Sequence, residues 1–178
     1  KTSPIISMKV PRDQVIAFGI YTTSNNTLKL SAQLFPLYPE ESRIVKLAFY
    51  IDNTWKVVQT EQVNEIGWSV LFRIDNWEVN KNIKYKLIHG KKAFFEGLIR
   101  KDPINKAEIK LAALSCNSNK DRGDRDEYVR NINTLDPDLI FFAGDQSYDH
   151  KEHTAAWIKF GLQFRELFRD RPCITIPD

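Results

Sequence analysis

The sequence has few of the residues that mark fibrous, disordered or membrane-spanning chains. Only 7 of its 178 residues are glycine and 8 are proline, whereas 42% are apolar and 12% are aromatic. Collagen-like and intrinsically disordered classes are therefore excluded. No apolar run approaches the roughly 18 residues that a membrane helix needs, so no membrane span is predicted. The composition predicts a globular, water-exposed protein with a substantial core.

Neither a strong charge excess nor a cysteine framework is present. Lysine and arginine number 26 against 23 aspartates and glutamates, and no basic stripe is interleaved with aromatics. No nucleic-acid-binding surface is predicted for such a chain. Its two cysteines, Cys116 and Cys173, lie in segments that both read as buried strands, so we expect no disulfide between them.

The first hundred residues alternate apolar and polar side chains in short runs that are separated by polar turns. This period of two predicts half-buried strands. Seven strands within about ninety residues, with no helical period between them, predict a β sandwich of immunoglobulin or fibronectin type. The predicted strands cover residues 15–21, 27–34, 45–51, 56–60, 68–74, 83–87 and 93–99.

Residues 100–106 are polar and contain Pro103, which predicts a linker between a sandwich domain at 1–104 and a second domain at 105–178. The periodicity then changes to strand, helix, strand, helix, strand. This order predicts a parallel sheet whose first strand is covered on both faces. The predicted elements are strands 109–114, 139–143 and 173–176, helix 124–135, and a second helix with Thr154 as its N-cap.

The second helix carries a long apolar stripe, which predicts that it packs against the sheet. With three strands and exposed edges, this α/β domain is expected to be incomplete. The stripe consists of Trp157, Phe160, Gly161, Phe164, Leu167 and Phe168.

Unusual polar residues follow the strands of the second domain. In parallel α/β sheets, ligands bind beyond the carboxyl ends of the strands. Gly144 permits a tight turn after a strand, and Asp145 then projects a carboxylate that is suited to bridging cations. Tyr148 favours ferric iron as its partner, because a phenol needs a strong Lewis acid to lose its proton. Cys116, on the neighbouring strand, adds a thiolate that iron or zinc accepts.

Each of these residues also has an ordinary interpretation. A single cysteine after an apolar strand is often a core residue, a Gly-Asp pair is often a turn, and a loop tyrosine often hydrogen-bonds locally. Three tryptophans in the sandwich, Trp55, Trp68 and Trp77, are consistent with a sugar-binding platform or with packing, of which packing is the simpler interpretation.

Three segments carry a resemblance to a known family: residues 112–117 (AALSCN), 136–149 (DPDLIFFAGDQSYD) and 171–178 (RPCITIPD). In this order, and after a β sandwich, they are similar to the alkaline phosphatase D family of metallophosphoesterases. The pattern Gly144-Asp145-x-x-Tyr148 also resembles the iron-binding motif of purple acid phosphatases.

The resemblance implies a calcineurin-like α/β enzyme that hydrolyses phosphate monoesters or diesters with two metals, Fe³⁺ and Ca²⁺ or another divalent ion. Asp145 would bridge the metals, while Cys116 and Tyr148 would bind the iron. The strand end at Cys116 departs from the Asp-x-His of other metallophosphoesterases, as is usual in this family. Family members are typically exported, so an extracytoplasmic location is expected.

The family continues its third strand as Asp-Asp-His and uses the second Asp as a ligand, whereas this sequence reaches only the first, Asp178. Further ligands and the catalytic residues are therefore expected beyond Asp178. The chain alone is predicted to be metal-poor and inactive. The competing hypothesis is a non-catalytic module that recognises carbohydrate or protein through its sandwich. The sequence leaves the oligomeric state open.

Other polar residues near the strand ends are candidates for substrate contact. Asn117 and Asn119 are expected to donate hydrogen bonds to phosphate, and His150 to contact substrate. His150 and His153 have the spacing of a zinc pair, but their polar surroundings favour solvent-facing side chains. Arg122 and Arg125 are either anion contacts or surface charges.

Overall fold

The computed structural model describes residues 5–117, 123–149 and 151–176. This part of the chain is mostly β-sheet with few helices. The elements are a 3₁₀ helix at Arg12–Gln14, β1 (Ile16–Ser24), β2 (Thr27–Leu34), β3 (Ile44–Ile51), β4 (Thr54–Gln62), β5 (Ser69–Asp75), β6 (Ile83–His89), β7 (Ala93–Ile99), β8 (Leu111–Leu114), α1 (Arg125–Leu135), β9 (Leu139–Ala143), α2 (His153–Phe168) and β10 (Cys173–Ile176).

All seven strands predicted for the first hundred residues are present. They form two antiparallel sheets, one ordered β1-β2-β5 and the other β4-β3-β6-β7. Alternate side chains of each sheet face inward, and Leu28 and Leu30 of one sheet share a solvent-excluded core with Leu47 and Leu87 of the other. The alternation in the sequence thus reports which face of each strand is buried.

The three tryptophans of this region have different surroundings. Trp77 is only 6% exposed, so it is a core residue and does not offer its ring to a ligand. Their aromatic or cationic partners differ: Trp77 contacts Phe49, Trp55 contacts Tyr50 and lies beneath Lys86, and Trp68 lies beneath Arg43.

The predicted order of strand, helix, strand, helix, strand is confirmed in the second region. Its three strands form a parallel sheet ordered β10-β9-β8, with β9 in the centre. The first strand differs from its prediction, since it begins at Leu111 rather than at residue 109 and is not covered on both faces. Ile109 and Leu111 are 53% and 54% exposed, because β8 is an edge strand of the sheet described here and one face of that sheet is open.

The helix ends show how closely local sequence signals locate boundaries. Asp124 caps α1 by accepting hydrogen bonds from the backbone of Asp126 and Glu127, as the prediction of a helix from residue 124 implies. The Thr154 N-cap is wrong: α2 begins at His153, and Glu152 is its N-cap without a capping side-chain bond. The carbonyl of Glu152 already accepts from the backbone of Ala156, so the helical hydrogen bonds start earlier.

The apolar stripe of α2 packs against the parallel sheet, as predicted, and also against β1 of the first region. Phe142 of β9 lies 4.8 Å from the ring of Phe160 on the helix. Phe18 of β1 contacts Trp157 and Phe168 of the same helix, each at 5.8 Å between ring centroids. One hydrophobic core therefore continues from the antiparallel sheets to the parallel sheet.

Gly161 permits this close approach, which gives a testable prediction. Glycine in a helix normally costs stability relative to alanine, but a Cβ at position 161 would lie 1.8 Å from the Phe18 ring. Gly161→Ala is expected to lower the free energy of unfolding by about 2 kcal/mol, as overpacked cores do. Gly67→Ala is the matched control, since its Cβ would meet only Ser69 at 3.6 Å. Equal stability of the two variants in urea denaturation would contradict the packing.

A second prediction concerns Asp136, which ends α1 in the left-handed region and forms ion pairs with Arg100 and Arg171. Hydrogen bonding to Arg100, and then to Arg171, lowers the pKa of Asp136. Its contribution to stability is therefore present above the unfolded-state pKa and is lost as pH falls through the lower folded-state pKa. Asparagine tolerates the same left-handed backbone. Asp136→Asn is therefore expected to lower the free energy of unfolding by about 1 kcal/mol at pH 7. In urea denaturation the difference from the wild type should disappear in acid; a pH-independent difference would contradict this assignment.

Candidate metal centre

Two loops at the carboxyl ends of neighbouring strands form the candidate site. Cys116 follows β8 with φ 59°, and Gly144 and Asp145 follow β9 with φ 82° and 54°. Left-handed backbone is uncommon for residues with a side chain, so both loops turn sharply where β8 and β9 end. The backbone N–H of Asn117 donates to the carbonyl of Asp145 at 2.8 Å and joins the two loops.

These turns bring the three predicted metal ligands together. The Cys116 thiol lies 3.2 Å from Oδ2 of Asp145, and the Tyr148 hydroxyl donates to the same oxygen at 3.1 Å. Ser115 Oγ lies 3.1 Å from the Cys116 sulfur. Cys116 is solvent-exposed and Tyr148 is 46% exposed, so the cluster opens to solvent. The expectation that Cys116 lies in a buried strand is therefore wrong; the residue follows the strand and turns outward.

The Cys116 thiol and the Tyr148 hydroxyl converge on one carboxylate oxygen, so the separations can be compared with those of ligands around a cation. Adjacent ligands bound at about 2.0 to 2.3 Å lie roughly 3 Å from one another, and the two separations at Asp145 Oδ2 are 3.1 and 3.2 Å. Residues 5–117, 123–149 and 151–176 contain no group of three His, Cys, Asp or Glu side chains that fits a metal ion. The third polar group of the cluster is a tyrosine, which lies outside that set of four residue types.

The pKa is raised at Tyr148 in the cluster and at Cys173 in the core. Hydrogen bonding to Cys116, with a further hydrogen bond to Asp145, raises the pKa of Tyr148 to about 12. A phenol with this pKa is protonated near neutral pH, and its hydroxyl acts there as a hydrogen-bond donor. Burial raises the pKa of the Cys173 thiol, which keeps that cysteine protonated within the core.

Asn117 is brought to the site but lies beneath its surface. It is 6% exposed, and its Nδ2 donates to the Gln146 carbonyl at 3.2 Å and to Gln163 Oε1 at 2.9 Å. Arg125 Nε donates to Oδ1 of the same amide at 3.0 Å. Arg125 thus has a partner in this network, and a contact between Asn117 and phosphate stays a prediction.

Four of the residues named from sequence, Asn119, Arg122, His150 and Asp178, lie outside the described residues. His153 is exposed in the first turn of α2, as its polar surroundings predict.

Sequence reasoning missed the residues that support the cluster. Gln163 interrupts the apolar stripe of α2 as an ordinary polar residue, and its proximity to Asn117 depends on how the helix packs. Gln146 donates through Nε2 to the carbonyl of Ile176 at 2.8 Å and so links the β9 loop to β10. The one signal in the sequence for a role of Gln146 is its position directly after Asp145.

Comparisons with known proteins identify the fold. No protein-family profile and no curated protein matches the sequence. Among solved structures, PhoD shares 18% sequence identity with a TM-score of 0.71, covering 91% of this chain and 38% of the PhoD chain. The purple acid phosphatase PPD1 from yellow lupin (Lupinus luteus) seeds shares 11% identity with a TM-score of 0.64, covering 90% of this chain and 34% of its own.

The chain therefore spans about a third of the length of each of these enzymes. None of the helices in the described part of the chain is both long and apolar enough to cross a membrane. Over nine-tenths of its length, the chain has the fold of the corresponding part of PhoD.

Proposed function

We propose that this chain is part of a metal-dependent phosphoric ester hydrolase of the alkaline phosphatase D type, acting on phosphate monoesters or diesters. The observation that carries the proposal is the meeting of Cys116, Asp145 and Tyr148 at one carboxylate oxygen, at the ends of adjacent parallel strands. The fold similarity to PhoD and to a purple acid phosphatase supports the same reaction class.

Each side chain has a distinct role in this proposal. Asp145 has a second carboxylate oxygen besides the one that Cys116 and Tyr148 contact, which suits it to bridging two ions. Cys116 and Tyr148 would supply a thiolate and a phenolate for Fe³⁺, and Ca²⁺ or another divalent ion would be the second metal. When bound, such a pair polarises the phosphoryl oxygens and activates the attacking water. The left-handed turns hold the three donors at the open rim, where an ester can approach.

The surrounding architecture supports the same proposal. Seven antiparallel strands in sheets of three and four are consistent with an immunoglobulin-like or fibronectin-like sandwich for residues 1–104. Residues 105–178 then form part of a calcineurin-like α/β domain, with ligands at the carboxyl ends of its strands. An extracytoplasmic location, which the family resemblance suggests, belongs to this proposal.

The number of donors limits what the 178 residues do alone. Two ions of near-octahedral geometry need many more than three protein donors. The remaining ligands and the catalytic groups are therefore proposed to lie outside this sequence, in the portion of a PhoD-like chain that it does not span. We propose that the 178-residue chain binds at most one ion at the cluster and does not turn over substrate.

A metal titration tests the donor set directly. Co²⁺ added to the chain is expected to bind in no more than one equivalent and to produce a thiolate-to-metal absorption band, which Cys116→Ser abolishes. Asp145→Asn is expected to weaken binding by at least about tenfold. Cys173→Ala is the matched control, because that thiol is buried and protonated. A band that persists in Cys116→Ser, or two tightly bound equivalents, would contradict the assignment.

Hydrolysis tests the reaction class. In the full-length natural protein that contains these residues, loaded with iron and calcium, an aryl phosphate is expected to be hydrolysed. Asp145→Asn should lower kcat at least about 100-fold, because it removes charge that holds the metals. Asp13→Asn, in the 3₁₀ helix of the first region, is the control and should leave kcat unchanged. Unchanged turnover in Asp145→Asn would remove that residue from the mechanism.

A further inference from the structure

The Asn117 side chain occupies a buried position between the two loops and α2. Its backbone N–H holds the Asp145 carbonyl, and its side-chain N–H groups reach the Gln146 carbonyl and Gln163 Oε1. Arg125, in the first turn of α1, donates to the remaining amide oxygen. This one residue therefore connects the cysteine loop, the aspartate loop and both helices.

Among these contacts, the hydrogen bond that Asn117 donates to Gln163 is the one that links the loops to the core. Gln163 lies between Gly161 and Phe164 on α2, and both of these residues are buried. Gly161 is packed against Phe18 of the first region, and the ring of Phe164 lies 5.0 Å from that of Phe142. The helix segment that carries Gln163 is thus fixed on two sides, so the acceptor side chain extends from a backbone position that the core holds in place.

The consequence for the cluster follows from sequence adjacency. Asn117 directly follows Cys116, and Gln146 directly follows Asp145, so the Asn117 amide sets the relative position of the thiol and the carboxylate. A buried side-chain N–H that loses its acceptor is unfavourable, and the loop relaxes to find another partner. Such relaxation would separate donor atoms that now lie 3.2 Å apart.

We propose that Gln163 is a positioning residue for the metal centre: its Oε1 fixes the Asn117 amide and thereby the spacing of Cys116 and Asp145. The part of this proposal that concerns metal rests on the function proposed above. Removing a residue that orients the ligands of a metal site commonly lowers the affinity for the metal by about tenfold or more.

Two variants of similar size separate the acceptor from the rest of the side chain. Gln163→Met keeps the length and removes the acceptor, whereas Gln163→Glu keeps a carboxylate oxygen that accepts from Asn117. In the metal-free chain, native-state hydrogen exchange at the Asn117 backbone amide is expected to accelerate at least about tenfold in Gln163→Met and to stay near wild type in Gln163→Glu. Backbone amides within β9 serve as the internal reference, because a general loss of stability would accelerate their exchange to the same extent.

The same variants are then titrated with Co²⁺. Affinity is expected to fall about tenfold in Gln163→Met and to be retained in Gln163→Glu. The positioning role would be overturned if the exchange rate at Asn117 in Gln163→Met equalled that of the wild type. It would also be overturned if exchange accelerated equally throughout β9. Weaker binding in both variants to the same extent would overturn it too, since the acceptor would not matter.

Failure of the proposed function gives a different pattern. If Cys116→Ser and Asp145→Asn leave Co²⁺ binding unchanged while exchange at Asn117 responds to Gln163→Met, the metal assignment fails and Gln163 orders the loops without a role toward metal. If the two ligand variants lose binding but Gln163→Met loses neither binding nor protection, only the positioning role fails.

Discussion

The packing of α2 between two sheets is the constraint on which the rest of the structure depends. Its aromatic stripe contacts Phe142 of the parallel sheet, and Gly161 lets the helix approach Phe18 of the antiparallel sheets. The helix has no side-chain hydrogen bond at its N-cap, so burial of large aromatic side chains on two sides is its main source of stability. Because the core is continuous, the antiparallel sheets of the first region help to hold α2 and the parallel sheet in place.

In contrast to the packed helix, the open rim at the ends of β8 and β9 has a backbone conformation that is unfavourable for folding. Cys116 and Asp145 adopt left-handed backbone, and the Cys116 thiol and the Tyr148 hydroxyl both contact one oxygen of Asp145. Such arrangements cost folding energy and persist where the surrounding structure enforces them. Here the enforcement comes from buried amide hydrogen bonds beneath the surface, centred on Asn117. The reactive groups thus remain exposed while the groups that orient them are buried.

Much of this fold was predictable from sequence, because the alternation of residues 27–34 and the stripe of α2 reflect burial directly. The order of elements and the clustering of Cys116, Asp145 and Tyr148 followed from the rule that ligands bind at the carboxyl ends of parallel strands. Burial of β8 was mispredicted because an apolar strand has the same composition at an edge as at the centre of a sheet. The link from Gln163 to Asn117 was not predictable, since it joins residues far apart in sequence through the packing of a helix.

The central claim is that a thiolate, a carboxylate and a phenolate of this chain bind the same ion. X-ray absorption at the edge of the bound metal measures this most directly. The account predicts one sulfur neighbour at about 2.3 Å beside oxygen neighbours at about 2.0 to 2.2 Å, with the sulfur lost in Cys116→Ser and one oxygen lost in Tyr148→Phe. A shell of oxygen and nitrogen alone, identical in the wild type and in both variants, would contradict it.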